Sequence, residues 1–328
     1  ETIGSKQVLH HYGHGGSGWS LSWGSALEAV PMALATGAKE IAVIGAGAIG
    51  LTTAITAQRM GAKVTIYAKE RFPDVRSARA TGTWSPASRV AMAGATDAAF
   101  TEKWERMTRR SFAVHQGFLG IAGNPVEWTD RYGLSDAPSV RGPSSPIQMP
   151  GGGTDSFFNQ EERVRDLTPR PETLLPGQHP FPVADVRKST SLTFNVTDLG
   201  RQLESDFLQA GGHFVPLELH GAADFAKLKE KTIINCTGYG ARALMKDESI
   251  TPVRGQIAWL LPQPGVDYGV QYNHVSMLGR RDGIVVQPLG NDEAYGFNVA
   301  DETPDYAAAQ EGVATLAQLF AQKAPSPA

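Results

Sequence analysis

The chain holds a single cysteine, Cys236, among its 328 residues. One thiol can neither close an internal disulfide nor supply a cysteine-based zinc set. The fold is therefore expected to rest on a hydrophobic core, which a chain of this length can bury without staples. Charge of one sign is also scarce. Thirty Lys and Arg stand against 33 Asp and Glu, for a net charge of −3, and this argues against a large nucleic-acid footprint. No run of about 18 apolar residues occurs, so no membrane span is expected. The chain opens on Glu1 with neither a basic n-region nor an apolar h-region behind it. The expected location is soluble, either cytoplasmic or exported with its signal removed. What the sequence has in excess is glycine, 36 residues, a residue that tolerates positive φ and lets backbone lie close to a ligand.

Apolar periodicity places a helix over 25–34, a buried strand over 41–44, a tight loop over 45–50, a helix over 51–60 and a strand over 64–67. A helix is expected over 98–119 and a strand over 126–132. Residues 137–181 are rich in Pro, Gly and Ser, with Gly151, Gly152 and Gly153 among them, and read as loops over a second domain. A strand over 191–194, a helix capped by Asn195 or Thr197 and ending at Gly211-Gly212, and strands over 213–219 and 232–236 follow. Strands over 257–261 and 283–287 read as antiparallel, and a last helix covers 307–323.

Gly45-x-Gly47-x-x-Gly50 joins a strand to a helix inside a β-α-β unit. In that setting the first glycine makes the turn, the second admits a pyrophosphate, and the third lets helix pack on strand. The helix N-terminus then offers free N–H groups and a positive dipole end to phosphate. The acidic residue expected at the end of the second strand is missing: its place falls at Ala68, and Lys69-Glu70-Arg71 follow. Glu70 is the candidate for the ribose, with Lys69 or Arg71 near phosphate; Arg71 alone would suit an NADP 2′-phosphate. A second glycine cluster, Gly13, Gly15, Gly16 and Gly18, precedes the first helix, whose N-terminus would face a flat ligand. His10, His11 and His14 raise a metal alternative, but no carboxylate or Cys joins them.

Taken with these loops, several further motifs make the chain resemble the D-amino-acid oxidase family of FAD-dependent oxidoreductases. They are Gly82-Thr83-Trp84-Ser85-Pro86, Ile234-Asn235-Cys236-Thr237-Gly238, Arg254-Gly255-Gln256-Ile257, and His11-Tyr12-Gly13-His14-Gly15-Gly16 with Trp23-Gly24. The family carries its Y-G-H-G-G segment near the C-terminus, whereas here it precedes the fingerprint, so the chain looks circularly permuted. The resemblance implies an α/β fold: a Rossmann-type FAD-binding domain beside a substrate domain built on a largely antiparallel sheet. The expected division is 1–100, 186–245 and 303–328 for the first domain, and 101–185 with 246–302 for the second.

The resemblance implies roles as well. Gly45, Gly47, Ala48, Ile49 and Gly50 would hold the pyrophosphate. Lys69, Glu70 and Arg71 would sit near the adenosine, with Leu219 offering backbone to the adenine. Ser77, Gly82, Thr83 and Trp84 would line phosphate and flavin, with Thr237 and Gly238 near the phosphates. Gly15, Gly18, Trp19 and Ser20 would meet the isoalloxazine. Gly16 and Ser85 would face the substrate. Arg281, next to Arg280, is read from the residues alone as a carboxylate clamp, since a planar guanidinium suits a carboxylate. Trp84 and Trp23 also suit a core, and Cys236 a buried small residue. The implied reaction is oxidative deamination of an amino acid or related amine, by hydride transfer to flavin N5 with oxygen reduced to hydrogen peroxide. No side chain is assigned as acid or base. A flavin-binding partner or redox sensor without oxidase activity, and an NADP-dependent dehydrogenase, are the alternatives.

Overall fold

A computed structural model describes residues 1–137, 146–150 and 152–322. In chain order its strands and helices begin β1 (Thr2–Ile3), β2 (Lys6–His10), α1 (Gly18–Leu34), β3 (Glu40–Ile44), α2 (Ala48–Arg59), β4 (Lys63–Ala68) and α3 (Ala98–Gln116). The middle of the chain forms β5 (Val126–Ser135), β6 (Ile147–Gln148), β7 (Thr154–Asp155), β8 (Glu172–Leu174), β9 (Asp185–Phe194), α4 (Val196–Gln209), β10 (His213–Pro216), β11 (Thr232–Asn235) and α5 (Ala241–Met245). The last part forms β12 (Ala258–Leu260), β13 (Gly269–Tyr272), β14 (Val275–Arg280), β15 (Gly283–Pro288) and α6 (Tyr306–Ala321).

The first sheet runs β1-β2-β11-β3-β4-β10. All its pairings are parallel except the short β1 hairpin on the β2 edge. Parallel strands need both faces covered, and they read as continuous apolar runs. Residues Ile41, Ala42, Val43 and Ile44 of β3 are accordingly all buried. α2 buries Thr52, Thr53 and Thr56 against this sheet, and two of those hydroxyls are satisfied by bonding back to the Ala48 and Thr52 carbonyls. α1 begins at Gly18, seven residues before the expected start. Gly-Trp-Ser-Leu-Ser-Trp-Gly is weak helix sequence, and tertiary burial overrides it, since Trp19, Leu21, Trp23, Ala26 and Val30 are all buried. Gly24 makes the close contact with α3: a Cβ there would stand 1.9 Å from the Met107 carbonyl oxygen.

The second sheet runs β12-β15-β14-β13-β5-β9-β8, antiparallel at every pairing but β13 with β5. One face carries Leu134, Val186, Val270, Met277, Ile284 and Val286, sealed by Leu316 and Leu319 of α6. The opposite face meets the segment after the first β-α-β unit. Phe194 donates its N–H to the Gly82 carbonyl (2.7 Å), Trp84 donates to the Leu192 carbonyl (3.1 Å), and Thr83 bridges Thr193.

The expected domain boundaries shift with these pairings. β9, expected within the first unit, is a strand of the second sheet. α6 covers the second sheet rather than the first, and α3 packs on α1. These helices are amphipathic enough to be found from sequence, but their partner surfaces are set by tertiary contact. β13 and β14 were not expected; their apolar runs are short and joined through Asn273 at φ 51°. Residues 138–145, Gly151 of the triple-glycine loop and residues 323–328 lie outside the described residues.

Candidate functional site

All five parallel strands of the first sheet end on the same edge, and each leads into residues singled out from sequence. β2 leads to Tyr12–Gly16, β3 to Gly45–Gly50, β4 to Lys69 and Glu70, β10 to Leu219, and β11 to Thr237 and Gly238. In open α/β sheets the ligand crevice lies outside these carboxyl ends.

The fingerprint glycines each meet a different need. Gly45 turns at φ 102°, and a Cβ there would sit 2.7 Å from the Cys236 carbonyl oxygen. A Cβ on Gly50 would sit 1.9 Å from the Gly45 oxygen, so only hydrogen lets α2 close on β3. At Gly47 the nearest atom is the Ser77 hydroxyl, at 2.8 Å. Gly47 is the N-cap of α2, which has no side-chain cap and no acidic residue in its first turn. A helix N-terminus with a positive dipole end and no acidic residue beside it suits a phosphate.

Ser77 ties this end to the second glycine loop. Its hydroxyl accepts the Ala48 N–H (2.9 Å), and its carbonyl accepts the Trp19 indole N–H (3.0 Å). Trp19 and Ser20 thus lie in the first turn of α1, not in a loop before it, and that turn is likewise free of side-chain caps and acids. Ser20 accepts the Ser85 N–H at 2.9 Å, Ser17 donates to the Ser85 carbonyl at 2.9 Å, and Gly16 donates its N–H to the Ser88 carbonyl at 2.9 Å. Gly15 stands at φ 54°, and a Cβ there would collide with the Arg89 carbonyl. A Cβ on Gly18 meets nothing within 4 Å. The two glycine loops and the 77–88 segment therefore form one hydrogen-bonded wall.

The indoles of Trp19 and Trp84 do not line that wall. Trp19 packs against Phe72 and Phe194, and Trp84 stands edge-on to Phe112, His115 and Phe194; both are buried, so only their backbone can meet a ligand. Trp23 stacks on Phe118 in the same core. Arg71 is turned away from the crevice. Its guanidinium holds Glu204 by two hydrogen bonds and lies 3.9 Å from the Phe214 ring centroid. Lys69 pairs with Glu218 at 3.5 Å. Both cations are engaged by carboxylates of the chain, which leaves Arg71 without the free guanidinium that an NADP phosphate would take. Arg281 is also occupied, since its Nε donates to Glu127 at 3.2 Å on an exposed surface. Arg280 is buried, but Asp282 holds it at 2.8 Å and 3.0 Å. Both arginines are thus engaged by carboxylates of the chain itself.

The histidines form no metal set. His10 bonds Glu1, His11 bonds Thr53, and His14 bonds Ser25. Among the described residues no group of three His, Cys, Asp or Glu could hold a metal ion. Burial pushes the His14 and His115 imidazoles down to about 4, and lowers His11 as well, so all three are neutral at neutral pH. Burial pushes the Cys236 thiol up to about 12, which makes it an inert core group. Arg131, unremarked in the sequence, reaches from β5 to the 77–88 segment: Nη1 donates to Thr83 and Nη2 to Thr193, both at 2.9 Å. A strand reading of 126–132 contains it, but no sequence pattern says which face meets the crevice.

The donors present fit a dinucleotide: glycine backbone at the fingerprint turn, two helix N-termini without acidic residues, and open space over Gly18. No helix among the described residues is long and apolar enough to cross a membrane. Residues 40–326 match the FAD dependent oxidoreductase (DAO) family. A D-amino-acid oxidase of Streptomyces coelicolor is 28% identical over 233 residues, covering 69% of this chain and 60% of that protein. One from Schizosaccharomyces pombe is 26% identical over 224 residues, covering 67% and 58%. The chain thus spans about 60% of the length of these relatives. The glycine oxidase of Geobacillus kaustophilus shares the fold, with TM-score 0.53 at 12% identity over 85% of this chain and 77% of that one. The fingerprint, the strand-end crevice and a family match over most of the sequence agree, and the chain belongs to the DAO family of FAD-dependent oxidoreductases.

Proposed function

We propose that this chain oxidises an amino acid or a related amine, with molecular oxygen as the electron acceptor. The observation that carries the reading is Ser77, which ties the first turns of α1 and α2 to one another, so that two helix N-termini free of acidic residues stand at one crevice. Gly45, Gly47 and Gly50, with the N–H groups that open α2, would hold the pyrophosphate. Leu219, Lys69 and Glu70 stand at the strand ends suited to the adenosine. Gly15, Gly16 and Gly18 would lie along the flavin ring, and the dipole of α1 would favour negative charge there. The chemistry that bound FAD would supply is that of a two-electron acceptor for the hydride on the carbon bearing the amine, with oxygen taking the electrons as hydrogen peroxide. The chain's own part is to orient the amine and keep the crevice dry. Gly16 and Ser85 stand on the wall that would face the substrate. Its neutral histidines bring no charge into the wall.

We also propose that the order of segments is a circular permutation. The β2-α1 unit, which carries the Y-G-H-G-G motif, comes first in the chain, yet β2 pairs with β11, the strand that separates it from β3.

Purified protein incubated with FAD should be yellow. Its absorbance should bleach anaerobically with a member of a panel of D- and L-amino acids, glycine and N-methyl amines, and recover in air with peroxide formed. Protein that stays colourless overturns the reading. Yellow protein that no amine in the panel bleaches leaves the flavin site and removes the oxidase.

A further inference from the structure

The segment between β15 and α6 is a strap tied twice to the lead-in to β12. At its near end Val253 bridges Phe297, and the Asn298 N–H is donated to the Pro252 carbonyl at 2.8 Å. At its far end Arg254 Nη2 donates to the Thr303 carbonyl at 2.6 Å, and the Gln256 side-chain oxygen accepts the Asp305 N–H at 2.9 Å. Residues 298–305 are all exposed. From this strap Glu302 reaches across to the first sheet's crevice, where its carboxylate accepts from Arg76 Nη2 at 2.6 Å.

Arg76 stands where two segments of the crevice meet. It directly precedes Ser77, which accepts the Ala48 N–H, on the segment that follows β4. Its guanidinium lies 5.4 Å from the ring centroid of Tyr239, on the segment that follows β11. β4 and β11 flank β3 in the sheet, so the Arg76 side chain crosses over the Gly45–Gly50 turn that leads out of β3. Backbone N–H groups and a helix dipole at that turn bring partial charge only. Lys69 and Arg71 bring none to it, being paired with Glu218 and Glu204. Arg76 is paired as well, but its side chain and that of Glu302 are 61% and 60% exposed. An ion pair so open to solvent is weak and exchanges readily. Pyrophosphate at the acid-free N-terminus of α2 is a stronger partner for a guanidinium than one solvated carboxylate.

We propose that Arg76 is a cation shared between two anions, the Glu302 carboxylate and the pyrophosphate of the cofactor, and that FAD binding draws it from Glu302 and so frees the 298–305 strap. This rests on FAD as the cofactor and not on an amine as the substrate. Because the strap runs on into α6, which seals the second sheet, the exchange reports cofactor occupancy to that sheet.

The test compares Arg76→Gln with Glu302→Gln in the full chain. FAD affinity is read from the quenching of flavin fluorescence. Strap motion is read from a nitroxide on Ala300→Cys, an exposed position, since the native Cys236 is buried. Arg76→Gln should weaken FAD about tenfold. Glu302→Gln should tighten it about threefold, because the competing carboxylate is gone. With both partners present, FAD should raise the mobility of the nitroxide, and ADP, which carries the same pyrophosphate, should do so too. With Glu302→Gln the mobile signal should stand before any nucleotide is added. FAD weakened by both substitutions marks a brace between the two sheets and overturns the proposal, as does affinity unchanged in both. A nitroxide that FAD leaves unmoved overturns it as well. Unaltered protein that takes up no FAD fails the flavin site itself, and the proposal with it. Opposite signs in the two variants, in protein that no amine bleaches, support the proposal and remove only the oxidase.

Discussion

A methyl group added at Gly50 and one added at Gly18 should have opposite effects, although both glycines sit in the first turn of a helix. At Gly50 the new atom would lie 1.9 Å from a backbone oxygen that cannot move aside. Gly50→Ala should cost about 3 kcal/mol and abolish FAD retention, as read by denaturant unfolding and FAD titration. At Gly18 the backbone is helical, with φ −50° and open space beside it. Gly18→Ala should leave the apoprotein as stable or up to about 1 kcal/mol more so, yet weaken FAD at least tenfold, because the methyl group fills the place proposed for the ring. Unchanged FAD affinity in Gly18→Ala would put the flavin elsewhere. The histidines supply a second prediction at this scale. His14 and His115 have folded values of about 4 against 6.5 unfolded. Between these values the unfolded chain binds more protons, so stability is full above pH 6.5 and falls as the pH drops towards 4. Each contributes up to about 3 kcal/mol of that fall. Urea midpoints at pH 7.5, 5.5 and 4.5 should decline, and His115→Gln should flatten the decline; equal midpoints at all three would refute it. These residues also show what could be read in advance. The roles of Gly45, Gly47 and Gly50 follow from spacing, because close backbone approach demands glycine. That Arg71 turns to Glu204 and Arg281 to Glu127 follows from no local pattern, since each partner lies more than 100 residues away in the chain.

Among the elements, strands flanked by short turns were legible and helix starts were less so. β3 declares itself as an apolar run of four residues, and β4 and β11 as short stretches rich in β-branched residues, Val-Thr-Ile-Tyr and Thr-Ile-Ile. α1 hides its first two turns in serines and glycines that serve packing and ligand approach rather than helix propensity. α3 is different, because its start is written in the sequence: Asp97 accepts the Phe100 N–H at 2.7 Å. Its task is to support α1, through the Gly24–Met107 contact and the bond from the Gly24 N–H to Ser111 at 2.7 Å. Asp97→Ala should lower stability by about 1 kcal/mol with no loss of FAD affinity, because fraying of the first turn does not reach Gly24. A matching drop in FAD affinity would show that the whole of α3 shifts and carries α1 with it.

At the scale of the whole molecule, the unusual feature is that residues 1–34 are joined to the rest only through the short connection before β3. That connection is exposed at Ala35, Thr36 and Gly37, and Gly37 stands at φ 80°. The segment it tethers is integral to the core. β2 pairs with β11 over four residues, and Trp19, Leu21, Trp23, Ala26, Ala29, Val30 and Ala33 are all buried. Their burial is worth on the order of 10 kcal/mol, comparable with the 4–15 kcal/mol that association of two separate pieces costs. If the order of segments is a rearrangement, the tether is dispensable for structure and contributes only local concentration. A protease site inserted between Gly37 and Ala38 should therefore give, after cutting, two fragments that elute together well above micromolar concentration and keep FAD absorbance. They should separate on dilution or in mild denaturant, with the flavin released at the same point, because Gly15, Gly16 and Gly18 leave with the smaller fragment. Fragments that part at once at high concentration would mean that the connection itself holds β2 in register, and the permutation reading would fail. Flavin retained by the larger fragment alone would mean that the Y-G-H-G-G loop has no part in the site.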